Sequence, residues 1–167
     1  MIPVPGLERG ARLQVKGPNI MLGYLLSDNP GQLVPPETEL GAGWYDTGDI
    51  VDIDDEGYMR ICGRAKRFAK VAGEMVSLTS VEILASQLWP DAQHAAVAIP
   101  DERKGEQVVL LTSQTDADRA SLSEQARNEG VGEICVPRKI IPVSTVPVLA
   151  TGKTDYVSAQ ALVEEAL

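Results

Sequence analysis

Residues 44–82, WYDTGDIVDIDDEGYMRICGRAKRFAKVAGEMVSLTSVE, carry most of what can be read in this chain. An acidic turn, Tyr45-Asp46-Thr47-Gly48-Asp49, leads into two β-rich runs, 49–53 and 58–62. The four residues between them, Asp54-Asp55-Glu56-Gly57, are of the kind that close a hairpin. A Gly63-Arg64 step follows, and then a second Gly and Lys cluster from Lys70 to Gly73. After Arg64 the texture changes from strands and turns to mixed helix and strand, which predicts a domain boundary at Lys66, with 1–65 and 66–167 on either side.

Upstream, residues 11–17 alternate Leu13 and Val15 against Arg12, Gln14 and Lys16, the period of a half-buried strand. Residues 28–43 collect Pro, Gly and acidic side chains and read as loop. Downstream, Thr79 with Glu82 forms a capping box, and Val81, Leu84, Ala85 and Leu88 recur at helical spacing until Trp89-Pro90. Ala95, Val97 and Ile99 alternate as a strand, and 108–111 is a continuous apolar run suited to a central strand. Ser121 with Glu124 repeats the capping box and Gly130 supplies a stop. A strand over 139–143, a loop around Lys153 and a helix over 156–166 complete the order. The fold class is α+β: a small three-stranded mixed sheet with flanking helices and a hairpin, preceded by a β-rich fragment of a larger domain.

Composition narrows the function. The net charge of −9 argues against nucleic acid, which is bound through clustered Lys and Arg. The cations bunch locally at Arg64, Lys66, Arg67 and Lys70, a basic patch for a phosphate or an acidic partner. Every apolar run falls short of the ~20 residues a membrane-spanning helix needs, and the start lacks the basic and apolar blocks of a signal peptide. Cys62 and Cys135 have no metal-binding or CxxC spacing, so a reducing, cytosolic setting is expected.

Among the side chains, Asp49 sits where a strand should begin, and a carboxylate there can accept hydrogen bonds from two vicinal hydroxyls. Its plainer role is to satisfy backbone donors in a turn, as Asp46 would. Arg64 offers a planar fork for a phosphate or ribose oxygen, or is a surface cation. Gly73 permits close approach of a backbone or thin ligand, or is simply a turn residue. Gly152-Lys153, between a strand and a helix, presents an ammonium able to meet a developing anion. Glu82 reads as the capping carboxylate alone, and His94, at a strand start, as structural. Neither a Ser/His/Asp set nor a metal cluster can be assembled, so the chain looks catalytically incomplete by itself.

In order and spacing these motifs resemble the adenylate-forming superfamily of acyl-CoA synthetases, peptide-synthetase adenylation domains and luciferases. Trp44-Tyr45-Asp46-Thr47-Gly48-Asp49 is similar to its ribose-binding signature, Gly63-Arg64 with Lys70, Gly73 and Glu82 to its hinge and following motif, and residues 147–153 to its C-terminal catalytic loop. The resemblance implies that 1–65 ends the large AMP-binding domain and 66–167 is the C-terminal lid. It implies that Asp49 holds the ribose hydroxyls of ATP, Arg64 contacts ribose or phosphate, and Lys66 is the hinge. Lys153 would bridge the acyl carboxylate and the α-phosphate, while Lys70 and Gly73 would flank the channel for the thiol carrier. ATP and Mg2+ are the implied cofactors, with the phosphate and metal sites expected upstream in a longer protein.

Two departures, at Lys66 and residues 75–78, point to one branch, while a third, at Tyr156, limits what carries over beyond Lys153. Lys66 stands where many members carry Asp, residues 75–78 read Met-Val-Ser-Leu, and Tyr156 replaces an Arg three residues after the catalytic Lys. With residues 17–24 and 152–157, the pattern looks like the bifunctional 2-acylglycerophosphoethanolamine acyltransferase/acyl-ACP synthetases. That branch implies a fatty acid substrate, acyl carrier protein docked on the Arg67 patch, a lysophospholipid served by an upstream acyltransferase domain, and a cytoplasmic-face location with inner-membrane association through upstream regions. The alternatives are a generic long-chain acyl-CoA synthetase end and a non-catalytic carrier-docking module.

Overall fold

The structure is a computed structural model and describes residues 1–5, 7 and 9–167. The chain divides into two compact units, Met1–Lys66 and Arg67–Leu167, so Lys66 closes the first unit and does not open the second.

In the first unit, β1 (Ile2–Pro3) and β2 (Ala11–Val15) are followed by two short hairpins, β3 (Tyr24–Leu25) with β4 (Leu33–Val34) and β5 (Glu37–Thr38) with β6 (Gly41–Ala42). The expected loop over 28–43 is therefore partly strand, because two-residue ladders are too short to leave an alternating pattern. Strands β7 (Tyr45–Ile53) and β8 (Met59–Arg64) complete an antiparallel sheet in the order β1-β2-β7-β8. Asp54 shapes the β7–β8 turn by accepting from the amides of Glu56 and Tyr58, and Gly57 takes the left-handed φ of 87°. Among the described residues the unit buries Ile50 and Val51 as its aliphatic side chains, while Leu22, Leu25, Tyr58 and Ile61 stay exposed.

A 3-10 turn, Ala65–Arg67, leads into the second unit. There β9 (Phe68–Val71) and β10 (Glu74–Ser77) form a hairpin across Ala72-Gly73, both left-handed at φ 52° and 94°. Such a tight turn requires positive φ at both central residues, and only Gly73 reaches it without strain. Then come α1 (Leu78–Leu88), β11 (His94–Asp101), β12 (Gly105–Thr112), α2 (Arg119–Asn128), a 3-10 turn (Glu133–Cys135), β13 (Lys139–Pro142) and α3 (Tyr156–Glu165). Strand β12 pairs antiparallel with β11 and parallel with β13, the three-stranded mixed sheet, and the hairpin joins it through Gly105 and Val71.

Both faces of β11 and β12 are covered, which is why their sequences read as apolar runs. Ala96, Val108 and Leu110 face a cluster with Val81, Leu84, Leu122 and Ala126 of α1 and α2. Ala95, Val97, Val109 and Leu111 face Val146, Ala159 and Val163, the latter two from α3. The α+β expectation is borne out, and the helices start earlier than their capping boxes indicated. Ser77 caps α1 by accepting from the Ser80 amide, and Asp118 caps α2 by accepting from the Ser121 amide. Ser121 thus lies inside α2 and Thr79 inside α1, because a Ser or Asp just upstream had the same acceptor and reached the amide three residues on.

Candidate functional site

The acidic turn of the first unit divides its two carboxylates between two tasks. Asp46 accepts from the Gly48 amide at 2.9 Å and pairs with Arg12 across β2 and β7. Burial alone pushes Asp46 up, but the Arg12 and Gly48 hydrogen bonds and the Arg12 charge together hold it below the ordinary carboxylate value. Thr47 ties the turn to β2 by donating to the Leu13 carbonyl, and its hydroxyl accepts from the Asp49 amide. Gly48, with φ of 72°, supplies the left-handed step between them.

Asp49 is not at a strand start, as expected, but in the middle of β7, opposite Arg64 of β8. Its Oδ1 meets the Arg64 Nε at 3.1 Å, and Arg64 also donates to the Thr47 carbonyl at 2.9 Å. The sequence placed both residues in one nucleotide site; the register joins them directly in an ion pair. Arg64 remains 66% exposed and Asp49 22% exposed, so the pair is open to solvent on one side. This arrangement leaves Asp49 Oδ2 free of described protein partners, while the guanidinium orients the carboxylate.

The second unit holds the other candidates. Lys66, in the 3-10 turn, and Lys70, on β9, are exposed. The Lys70 amide donates to Glu106 at 2.5 Å, which fixes the backbone beside the hairpin turn. A Cβ at Gly73 would meet nothing within 4 Å, so turn conformation rather than crowding demands this glycine. Lys153 lies at an exposed turn that closes on itself: Leu149 donates to the Lys153 carbonyl and Gly152 to the Leu149 carbonyl, each at 2.8 Å. Val148 and Thr154 form an isolated bridge, and the Asp155 amide donates to the Pro147 carbonyl at 2.9 Å. Asp155 then caps α3 through Val157, Ser158 and the Ser158 hydroxyl, hydrogen bonds that hold it below the ordinary value. Among the described residues the Lys153 ammonium has no ion-pair partner.

Two expectations fail here for one reason. Arg67 is not part of an open basic patch, and Glu82 is not a capping carboxylate; they pair with each other at 2.5 Å, 15% and 14% exposed. Arg67 also donates to the Ala96 carbonyl at 2.9 Å, and Glu82 accepts from the Ala96 amide at 2.8 Å. Ala96 lies on β11, the terminal strand in the order β10-β9-β12-β11, so the ion pair satisfies edge groups that would otherwise lack a strand. Tyr156 lies over the Arg67 guanidinium at 3.6 Å and donates its hydroxyl to Glu82 at 3.2 Å. Burial first, and then the Glu82 charge, push the Tyr156 phenol above its ordinary value. Sequence reasoning had no signal for this cluster, since residues 67, 82, 96 and 156 meet only in three dimensions.

His94 opens β11 as expected, its ring held by Thr112 at 2.9 Å and the Trp89 carbonyl at 3.1 Å. A cleft of about 650 Å³ is lined by Arg103, Lys104, Arg119 and Arg138 over Val71, Val108 and Val136. Arg119 is paired with Glu133 and Arg138 with Asp101, while Arg103 and Lys104 have no ion pair among the described residues. This second cationic site escaped the sequence reading because its members come from separate segments. Among the described residues no three His, Cys, Asp or Glu gather to hold a metal, so the Mg2+ of the resemblance finds no ligand set among them.

No family model matches the chain. A 2-succinylbenzoate–CoA ligase of Staphylococcus aureus is 31% identical over 150 residues, covering 89% of this chain and 29% of the relative. A 2-hydroxy-7-methoxy-5-methyl-1-naphthoate–CoA ligase of Streptomyces carzinostaticus is 29% identical over 153 residues, covering 90% and 27%. The amide bond synthetase McbA of Marinactinospora thermotolerans superposes with TM-score 0.69 at 26% identity, over 93% of this chain and 31% of that one. Over most of its own length the chain is thus similar to CoA ligases and to an amide bond synthetase. ATP-bound MatB of Rhodopseudomonas palustris, TM-score 0.73 at 22% identity over 95% of this chain and 31% of its own, shares the fold. The chain spans under a third of the length of each of these relatives and solved structures.

Proposed function

We propose that the chain is the C-terminal portion of an ATP-dependent acid–thiol ligase, which forms an acyl-adenylate and then a thioester. The observation that carries this reading is Lys153: an exposed ammonium without an ion-pair partner among the described residues, on a turn closed by its own backbone hydrogen bonds. Such a cation can stabilise the charge that develops as an acyl carboxylate attacks the α-phosphate and pyrophosphate leaves. Asp49, oriented by Arg64, takes the ribose hydroxyls as hydrogen-bond donors. In this reading, residues 1–66 end the large nucleotide-binding domain and 67–167 are its lid, with Lys66 as the hinge.

The test is Lys153→Ala in the complete ligase. Acyl-adenylate formation, followed by pyrophosphate release, should fall at least a hundredfold, while transfer from supplied acyl-adenylate to the thiol is spared. Equal loss in both half-reactions would remove Lys153 from this role.

The acceptor has two readings. Acyl carrier protein, with a fatty acid as substrate and a lysophospholipid as final acyl acceptor at the cytoplasmic face, was expected to dock on the basic patch; with Arg67 half-buried and paired with Glu82, that patch keeps Arg64, Lys66 and Lys70 as its exposed cations. Coenzyme A is favoured by the cationic cleft at Arg103 and Lys104 and by relatives that are themselves CoA ligases. Thioester formation measured with each thiol separates them: a kcat/KM at least tenfold higher for one acceptor decides.

A further inference from the structure

The Lys153 turn is closed by hydrogen bonds among residues 147–155, and these hold the turn together without fastening it to the body of the second unit. Two side chains flanking it are anchored in that unit. On the entry side Val146 is 1% exposed in the core under α3. On the exit side the first residue of α3, Tyr156, has its ring against Arg67 and its hydroxyl on Glu82. Arg67 and Glu82 are themselves immobilised, each bonded to the other and to Ala96 of β11. Lys153 is three residues before Tyr156, so the seat of this aromatic ring is the anchor nearest to it along the chain on the exit side.

We propose that Arg67, Glu82 and Tyr156 act together as a positioning unit for Lys153, with the Tyr156 hydroxyl as the contact that fixes the loop. The proposal rests on the reading of Lys153 as the adenylating cation. The chemistry of the three groups suits the task. A planar guanidinium stacks on a ring and still offers edge donors to a carboxylate and a carbonyl, which an ammonium cannot do. Glu82 uses Oε1 for Arg67 and the Ala96 amide and keeps Oε2 for the phenol, so one carboxylate ties β11, the stacked cation and α3 into one network. Positioning of this kind matters because a displacement of about 1 Å at a catalytic group costs on the order of a hundredfold in rate.

Tyr156→Phe removes the hydroxyl and keeps the stacked ring. In amide hydrogen exchange on the 167-residue chain, the amides of Leu149, Gly152 and Asp155 should exchange about tenfold faster in this variant, with Val97, Val109 and Leu111 unchanged. Arg67→Lys should act on the same three amides. Exchange identical to the unaltered chain, or acceleration spread evenly over loop and core, overturns the proposal. In the complete ligase, Tyr156→Phe should lower kcat for adenylate formation about tenfold with KM for ATP unchanged, sparing transfer from supplied acyl-adenylate. An unaltered kcat despite faster loop exchange also overturns it. Full adenylation by Lys153→Ala would instead sink the ligase reading, while the exchange result still decides whether the three residues seat the loop.

Discussion

The two units each join an arginine to a carboxylate, Arg64 with Asp49 and Arg67 with Glu82, and the pairs are three residues apart on the arginine side. The first arginine is 66% exposed and the second 15%. Water screens the first pair, so it contributes little to stability and its carboxylate can accept hydroxyl donors from a ligand. The second is enclosed, carries the free edge of β11 and supports a tyrosine, so its charges cannot be separated without leaving buried groups unpaired. Burial, rather than residue type, decides which pair is open to a ligand and which is a fixture.

The sharpest way to break this contrast is Glu82→Ala. It strips the partner from Arg67 and the acceptor from the Ala96 amide, and should destabilise the second unit by about 3 kcal/mol in urea unfolding. A loss under about 1 kcal/mol would place the pair with surface ion pairs and erase the distinction.

Acid should separate the units next. Burial, against hydrogen bonding to Trp89 and the Glu82 charge, holds His94 below its ordinary value of 6.5. The folded second unit therefore favours neutral His94, and its contribution is complete above pH 6.5 and declines as pH falls through the lower folded value. Asp46 in the first unit is held below 3.8, so its contribution persists until pH falls below that value. Thermal melts followed by Trp89 between pH 7 and 5 should show the second unit weakening, and His94→Gln should flatten that slope.

The smallest effect belongs to Asp49→Asn. Stability should change by less than about 1 kcal/mol, because the pair is open to solvent. ATP affinity in the complete ligase should nevertheless fall about tenfold, measured by titration calorimetry. A large stability loss with unchanged ATP affinity would make Asp49 a structural residue like Asp46.

Much of the fold was legible because its signals are local. The apolar run at 108–111, the alternation at 95–99 and the Asp54–Gly57 turn each occupy adjacent residues and became β12, β11 and the β7–β8 turn. The helix starts were misplaced because Ser77 and Asp118 look no different in sequence from Thr79 and Ser121. The short ladders at Leu33–Val34 and Glu37–Ala42 were missed because pairing two residues requires no periodicity.

The sequence by itself determined the order of the longer elements, the change of texture near Lys66 and the exposed glycine-lysine turn at Lys153, since each depends on neighbours along the chain. Tertiary structure alone decided that Asp49 faces Arg64, that Arg67 leaves the surface to meet Glu82, and that Arg103, Lys104 and Arg138 share a cleft. Those outcomes depend on strand register and on which backbone groups a sheet edge leaves to be satisfied, and both arise only when distant segments pack.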